Sequence, residues 1–314
     1  MTDYALATYR KGKTLLPALA VDGNLYDLGT GMRKAKLAIP RGWLDAGIDG
    51  WVHEWSAHAA SLKAAGKAVS ALAREGRLEP LGTMARLAVA PYRPLRIFCA
   101  ASNYHEHANE MKSVLAAKAQ SKPYMFVKHQ NAVVGPRETV SMPPETSRLD
   151  WEVELAVVIG KRARRVSVER ALSYAAGYSI VNDISARDLN TRSDYPFKFD
   201  WFQGKCHDTF APFGPCIVPA WLIPDPQALR MKLTVSGEVM QDDSTANMIW
   251  NVREQIAYLS TIVTLEPGDV IATGTPAGVG MGRGVYLKAG DVMEAEIDGI
   301  GSLVNPVAAE KMKR

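Results

Sequence analysis

The chain has 314 residues, of which 47% are hydrophobic and 22% charged, with a formal net charge of +4. That balance excludes a disordered chain, a collagen-like fibre and a small disulfide-stapled scaffold, and the length suits about two domains of roughly 150 residues. The basic excess sits in residues 1–94, with 13 basic against 8 acidic groups, while residues 95–314 carry 24 against 25.

No run of five like charges occurs, so the clustered basic stripe of a nucleic-acid binder is absent from the sequence. Cys99, Cys206 and Cys216 form neither a CxxC pair nor an even framework, which fits a reducing cytosol. The opening MTDYALATYRKGK is too polar for a signal peptide, and runs such as 155-LAVVIG-160 are far short of a membrane span. The expectation is a cytoplasmic chain with no membrane or nucleic-acid partner.

In chain order, residues 18–28 hold two apolar runs around Asp22-Gly23, which predicts a hairpin. Residues 51–74 are Ala-rich with helical spacing, which predicts one or two helices with Gly66 as a break. His53 and His58 fall there on different faces and read as structural or exposed. The segment 91-PYRP-94 reads as a hinge, dividing a small α+β domain (1–94) from a larger one (95–314). Beyond it, 96–100, 124–128, 153–159, 178–184, 231–237, 269–274 and 292–298 read as strands. Helices are expected at 107–119, 168–176 and 251–264. Too few helices separate the strands for a doubly wound sheet, so a curved, mixed fold of the α+β class, mainly β, is expected.

Five segments carry chemistry. In 150-DWEVELAVVIG-160, Glu152 and Glu154 share one face of a strand. Two like charges opening a core strand are costly without a cation or a shared proton, though a solvated strand end would also tolerate them. Asp183, in 181-VNDISARD-188, ends another apolar strand and would complete an all-oxygen set. Such a set favours Mg²⁺ or Mn²⁺, with Ca²⁺ possible. Arg187 and Asp188 read as an ordinary ion pair.

In 103-NYHEHANE-110, His107 and Glu110 are helical neighbours, the pattern of a general base beside its orienting carboxylate. A plain helix start is the alternative, and a second metal site on His105 and His107 lacks a third ligand. The segment 201-WFQGKCHDTFAPFGP-215 embeds Lys205 and Asp208 among aromatics, where a lysine can face a substrate carboxylate or enolate or can simply pack. Finally, 273-TGTPAGVGMGRG-284 lacks the GK[ST] ending of a phosphate loop and leads into a strand-like stretch rather than a helix. Its free N–H groups beside Gly274 and Thr275 suit a carboxylate or oxyanion.

In order along the chain, NYHEH with Glu110, PYMFVK (123–128), DWEVELAVVIG, GYSIVNDISARD (177–188), WFQGKCHDTFAPFGP, GEVMQ (237–241) and LEPGDVIATGTPAGVG (265–280) resemble the fumarylacetoacetate hydrolase family. The resemblance covers about residues 95–305, and residues 1–94 resemble more loosely the N-terminal domain of bacterial members. It implies a mixed β-sandwich roll, usually homodimeric, with Mg²⁺ or Mn²⁺ (Ca²⁺ in some members) on Glu152, Glu154 and Asp183. It implies a lid pair, His107 and Glu110, that activates water. Lys128, Lys205 and Thr275 would line the pocket of a 2-oxo or β-diketo acid, with Arg187, Asn190, Gln203 and Gly274 as further candidate contacts. Two departures stand out: Ala101 and Asn190 stand where the family commonly has Gly and Gln. The expected reaction is hydrolysis of a C–C bond in an acylpyruvate such as fumarylpyruvate, or in a relative such as fumarylacetoacetate. The alternatives are decarboxylation or tautomerisation of oxaloacetate or an oxo-diene dicarboxylate, and a non-catalytic oxo-acid binding protein.

Overall fold

The computed structural model describes residues 2–111 and 115–311. The apolar run that carries Glu154 forms the strand Val153–Ile159, buried at every position. A continuous apolar run of this kind fits a strand covered on both faces. It pairs antiparallel with Ala175–Asn182 on one side and Val270–Ala272 on the other. Val270–Ala272 then runs parallel to Arg96–Ala101, and Tyr124–His129 closes that side. On the opposite side Ala211–Pro219 pairs with Ala175–Asn182 and meets Ala5–Lys11 at Leu6↔Ile217. The hairpin strands Thr14–Val21 and Asn24–Asp27 follow. Strands of residues 1–94 therefore continue the sheet that carries the candidate site.

A second sheet orders Glu238–Ser244, Arg230–Val235, Val292–Ile297, Gly301–Ala309 and Val140–Met142. It packs on the central strands of the first sheet and buries Met231, Leu233 and Ala295 against Val153, Leu155 and Ile180 in one core. The fold is mainly β with mixed pairing, as the sparse helices imply.

The hairpin turns at Asp22 and Gly23, both with positive φ as a type I′ turn needs. The helix Trp55–Arg74, by contrast, runs unbroken through Gly66. That glycine lets Tyr4 pack against the helix backbone: a Cβ there would lie 2.2 Å from the tyrosine ring. His53 is half-exposed and lies 3.0 Å from the Pro267 carbonyl, and His58 accepts from the Trp43 indole, so both are structural.

Other expectations need correction. Residues 168–176 hold only a 3₁₀ turn, Ala171–Tyr174, after which the chain enters the strand Ala175–Asn182. Pairing with Val153–Ile159 overrides local propensity there. The helix expected at 107–119 is His105–Glu110, and residues 112–114 lie outside the described residues. The Gly- and Pro-rich 201–215 segment is half helix, Trp201–Lys205, and half the start of the central strand Ala211–Pro219. A one-turn helix, Gly280–Arg283, follows the 273–279 loop where a strand-like stretch was expected. The capping box of Asn251 and Glu254 starts the helix Val252–Ile262, close to expectation. All three cysteines are buried and free. Among the described residues no helix is long and apolar enough to cross a membrane.

Candidate active site

The site grows from the ends of two paired strands. Val153 faces Asn182 in the ladder, and the Asn182 Oδ1 accepts the Glu152 N–H at 2.8 Å, extending the ladder by a side chain. Asp183 then donates its own N–H to the Glu152 carbonyl at 2.9 Å. As a result Glu152, Glu154 and Asp183 are all buried, with carboxylate oxygens within 4.8 Å of one another.

Their neighbours set the charge. The Lys205 Nζ lies 2.7 Å from Glu152 and 2.8 Å from Asp183. Arg187 donates Nε to Asp150 at 2.7 Å and Nη2 to Glu152 at 2.5 Å. Burial disfavours ionisation of Glu152, but Lys205 and Arg187 outweigh it and hold the carboxyl well below its usual range. Burial also opposes the charge of Lys205, and Asp183 and Glu152 more than restore it. Glu154 differs: burial and then the charges of Asp183 and Glu152 push its carboxyl well above the ordinary range. A divalent cation reverses that repulsion, and three hard carboxylate oxygens fit Mg²⁺ or Mn²⁺.

Glu154 is held in place by the Gly274 N–H at 2.7 Å. Gly274 has φ +97°, and a Cβ on it would lie 2.6 Å from that of Asn103, so only glycine fits this approach. Thr275 is equally committed. Its hydroxyl donates to the Val153 carbonyl and accepts from Gln241. The N–H groups of Gly278, Gly280 and Met281 go to Glu110 and Asp150. The loop expected to offer free N–H groups instead spends these four on protein carboxylates.

The helix His105–Glu110 supplies the other wall. His107 is buried while His105 is exposed, so the two diverge. The His107 Nδ1 lies 3.5 Å from Glu110, whose carboxylate also takes the Gly278 N–H. Burial would raise the Glu110 carboxyl, but His107 and the loop N–H groups bring it below its usual range. His107, Glu152, Glu154, Arg187, Lys205 and Thr275 all line one cavity of about 790 Å³.

Two expected pocket residues, Lys128 and Gln203, sit outside the cavity. Lys128 is fully buried behind Asp183, with its Nζ at 2.5 Å from that carboxylate and bonded to the carbonyls of Ile184 and Phe210. It braces Asp183 and does not line the cavity. Gln203 is exposed on the outer side of its helix, in a neighbouring groove with Asp188 and Arg192. Asn190 does line the cavity, with its Oδ1 packed on Gly204. Asp188 bonds Thr146 and Ser147 rather than Arg187, whose partners are Asp150 and Glu152.

A family model described as the C-terminal domain of fumarylacetoacetate (FAA) hydrolase matches residues 96–308. The chain belongs to the fumarylacetoacetate hydrolase family. A rat relative named oxaloacetate tautomerase Fahd2a, mitochondrial, is 39% identical over 217 residues, spanning 68% of this chain and 67% of that protein. The crystal structure of 2-hydroxyhepta-2,4-diene-1,7-dioate isomerase from Mycobacterium marinum is 36% identical with a TM-score of 0.62, covering 76% of this chain and 82% of that one. Fumarylpyruvate hydrolase from Pseudomonas aeruginosa, solved with Mn²⁺ and pyruvate, is 33% identical with a TM-score of 0.62, covering 68% and 90%. Fumarylacetoacetate hydrolase relatives thus include tautomerases, isomerases and hydrolases, and the site residues here fit the Mn²⁺ of the last.

Two members of the site were not singled out in the sequence. Asp150 has the same two-residue spacing before Glu152 that links Glu152 to Glu154, but the strand breaks after it and its side chain turns to Arg187. Gln241 lies in the GEVMQ block, and its amide clamps the Val153 N–H, Thr275 and the Pro276 carbonyl. Spacing carried a signal for the first; nothing local marked the second.

Proposed function

We propose that the protein is a metal-dependent hydrolase that cleaves the C–C bond of an acylpyruvate or related β-diketo acid. The observation that carries this reading is that His107, with Glu110 beside it, lines the same cavity as Glu152 and Glu154, whose carboxylates cluster with that of Asp183. Mg²⁺ or Mn²⁺ held by Glu152, Glu154 and Asp183 would act as a Lewis acid toward the substrate's 2-oxo and carboxylate oxygens. Glu110, 3.5 Å from the His107 Nδ1, would favour the proton on that nitrogen and so leave Nε2 as the base toward water. The water oxygen bonds to the distal carbonyl carbon as Nε2 takes its proton. The C–C bond then breaks, and its electron pair stays on the pyruvate unit as an enolate beside the Lys205 ammonium. A proton returns to that carbon and gives pyruvate and a carboxylic acid. Arg187 keeps Glu152 oriented throughout. With Thr275 and Gly274 spent on protein partners, their role is to fix Val153 and Glu154 rather than to hold substrate.

The second reading, tautomerisation or decarboxylation of oxaloacetate or a related keto acid, uses the same carboxylates and Lys205 without water attack. The name of the rat relative favours it. Product analysis separates the two: pyruvate plus an acid from an acylpyruvate supports hydrolysis, whereas keto–enol exchange alone supports tautomerisation.

We also propose that residues 95–314 are the catalytic unit, with residues 1–94 as an accessory layer, and that the protein works as a cytoplasmic homodimer. The family match to 96–308, the three free thiols and the exposed Tyr195, Phe197 and Phe202 support this. Light scattering that gives a monomer mass would overturn the dimer.

A further inference from the structure

The cavity is far larger than a four-carbon keto acid requires, and its outer wall has a consistent chemistry. The Lys205 Nζ, which touches Glu152 and Asp183, lies 5.3 Å from the centre of the Phe126 ring. Phe126 stacks on Trp201 with ring centres 5.0 Å apart, and Trp201 meets Tyr124 at 5.7 Å and Phe199 at 6.4 Å. All four rings line the cavity. Exposure rises outward along them: Phe126 and Trp201 are half-buried, while Tyr124 and Phe199 are 58% and 64% exposed. An aromatic ramp therefore leads from the carboxylate cluster to the mouth, and Ile249 and Trp250 line the same cavity.

Among the described residues, charge beside the four rings is mostly engaged or lies at the exposed rim. Arg187 and Lys205 are committed to carboxylates. Lys118 is engaged by Glu254 at 2.8 Å and lies over the Trp250 ring. Lys122 and His105 are exposed. Among the described residues the cation recorded over these four rings is Lys205, which is committed to Glu152 and Asp183, so a ring or branched apolar arm would bury area on stacked aromatic faces.

We propose that the Phe126–Trp201–Tyr124 wall is an acyl-arm subsite, and that it selects 2-oxo acids with an aryl or bulky apolar arm over those with a methyl or carboxylate end. This rests on the reading of the carboxylate cluster as the place where the 2-oxo acid head is held. It concerns the arm alone, so the two can fail separately.

Three non-cleavable probes share one head group: oxamate with no arm, N-oxalylglycine with a carboxylate arm and N-phenyloxamate with an aryl arm. Calorimetry on the Mn²⁺-loaded full chain should give N-phenyloxamate an affinity at least about tenfold above oxamate, with no gain for N-oxalylglycine. Trp201→Ala should remove most of that increment and leave the affinity for oxamate unchanged. Tyr124→Ala, at an exposed edge-strand position that the core does not need, should reduce the increment by itself. An aryl arm that adds nothing, or a carboxylate arm that binds more tightly, would overturn the subsite while leaving the head site intact. Failure of oxamate to bind in a Mn²⁺-dependent way would overturn the head site, and the subsite with it.

Discussion

Asp183 donates its backbone N–H to the carbonyl of Glu152 at 2.9 Å, so the end of one strand and the approach to the next fix two carboxylates side by side. The cluster is thus pre-positioned by the sheet and needs no loop closure to form. Replacing Glu152 by Gln keeps the shape but removes one ionic ligand and the partner of Lys205. Mn²⁺ affinity should fall beyond the roughly 10–100-fold that outer-shell losses cost. Titration followed by electron paramagnetic resonance reads this directly, and wild-type affinity in the variant would remove Glu152 from the ligand set.

The opposite shifts of Glu152 and Glu154 fix a pH dependence. Glu154 is raised by burial and by Asp183 and Glu152, so without metal the folded chain binds a proton there more tightly than the unfolded chain. Stability then falls as pH rises above the ordinary glutamate value near 4.5. Glu152 is depressed, and its stabilising contribution is lost only on acidification below that value. Above it, Glu154 dominates the pair. Metal must displace the Glu154 proton, so Mn²⁺ should raise the melting temperature more at pH 7 than at pH 5, with proton release in calorimetry. A metal effect that shrinks with rising pH would contradict this.

Gly282 tests the coupling between the His107 helix and the loop. A Cβ there would lie 2.1 Å from the Glu110 side chain, so Gly282→Ala must displace Glu110 and with it the partner of the His107 Nδ1. Turnover should drop by about 10²-fold, the low end of what a positioned general base contributes, with Mn²⁺ affinity unchanged. Loss of both together would mean that the helix also supports the carboxylate cluster.

Asp150 accepts from Arg187, Gly280, Met281 and Trp151 and is wholly buried. Asp150→Asn keeps the volume but leaves Arg187 with Glu152 alone. Breaking a buried pair in this way costs on the order of 3 kcal/mol. A shift of the denaturant midpoint measures it, and an unchanged midpoint would show that the pair contributes nothing net.

The carboxylate cluster was legible because its signal is local: two glutamates at strand spacing opening an apolar run, and an aspartate closing another. Lys128 and Gln203 were not, because both are defined by what lies behind or beside them. Lys128 reaches Asp183 from the edge strand Tyr124–His129, and Gln203 turns outward on the short helix Trp201–Lys205. The strand Ala211–Pro219 was hidden by its own Gly and Pro, yet it is buried throughout and joins residues 1–94 to the rest of the sheet. Pairing across more than 200 residues leaves no periodic trace in either segment.

The proposed mechanism requires His107 to activate water against a 2-oxo acid held at Glu152, Glu154 and Asp183. The most direct measurement is proton NMR of an acylpyruvate incubated with Mg²⁺-loaded wild type and His107→Ala. The wild type should give pyruvate and a free carboxylic acid, and the variant a cleavage rate lower by about 10²–10⁴ with metal still bound. Cleavage at the wild-type rate in the variant, or keto–enol exchange without any cleavage in the wild type, would contradict it.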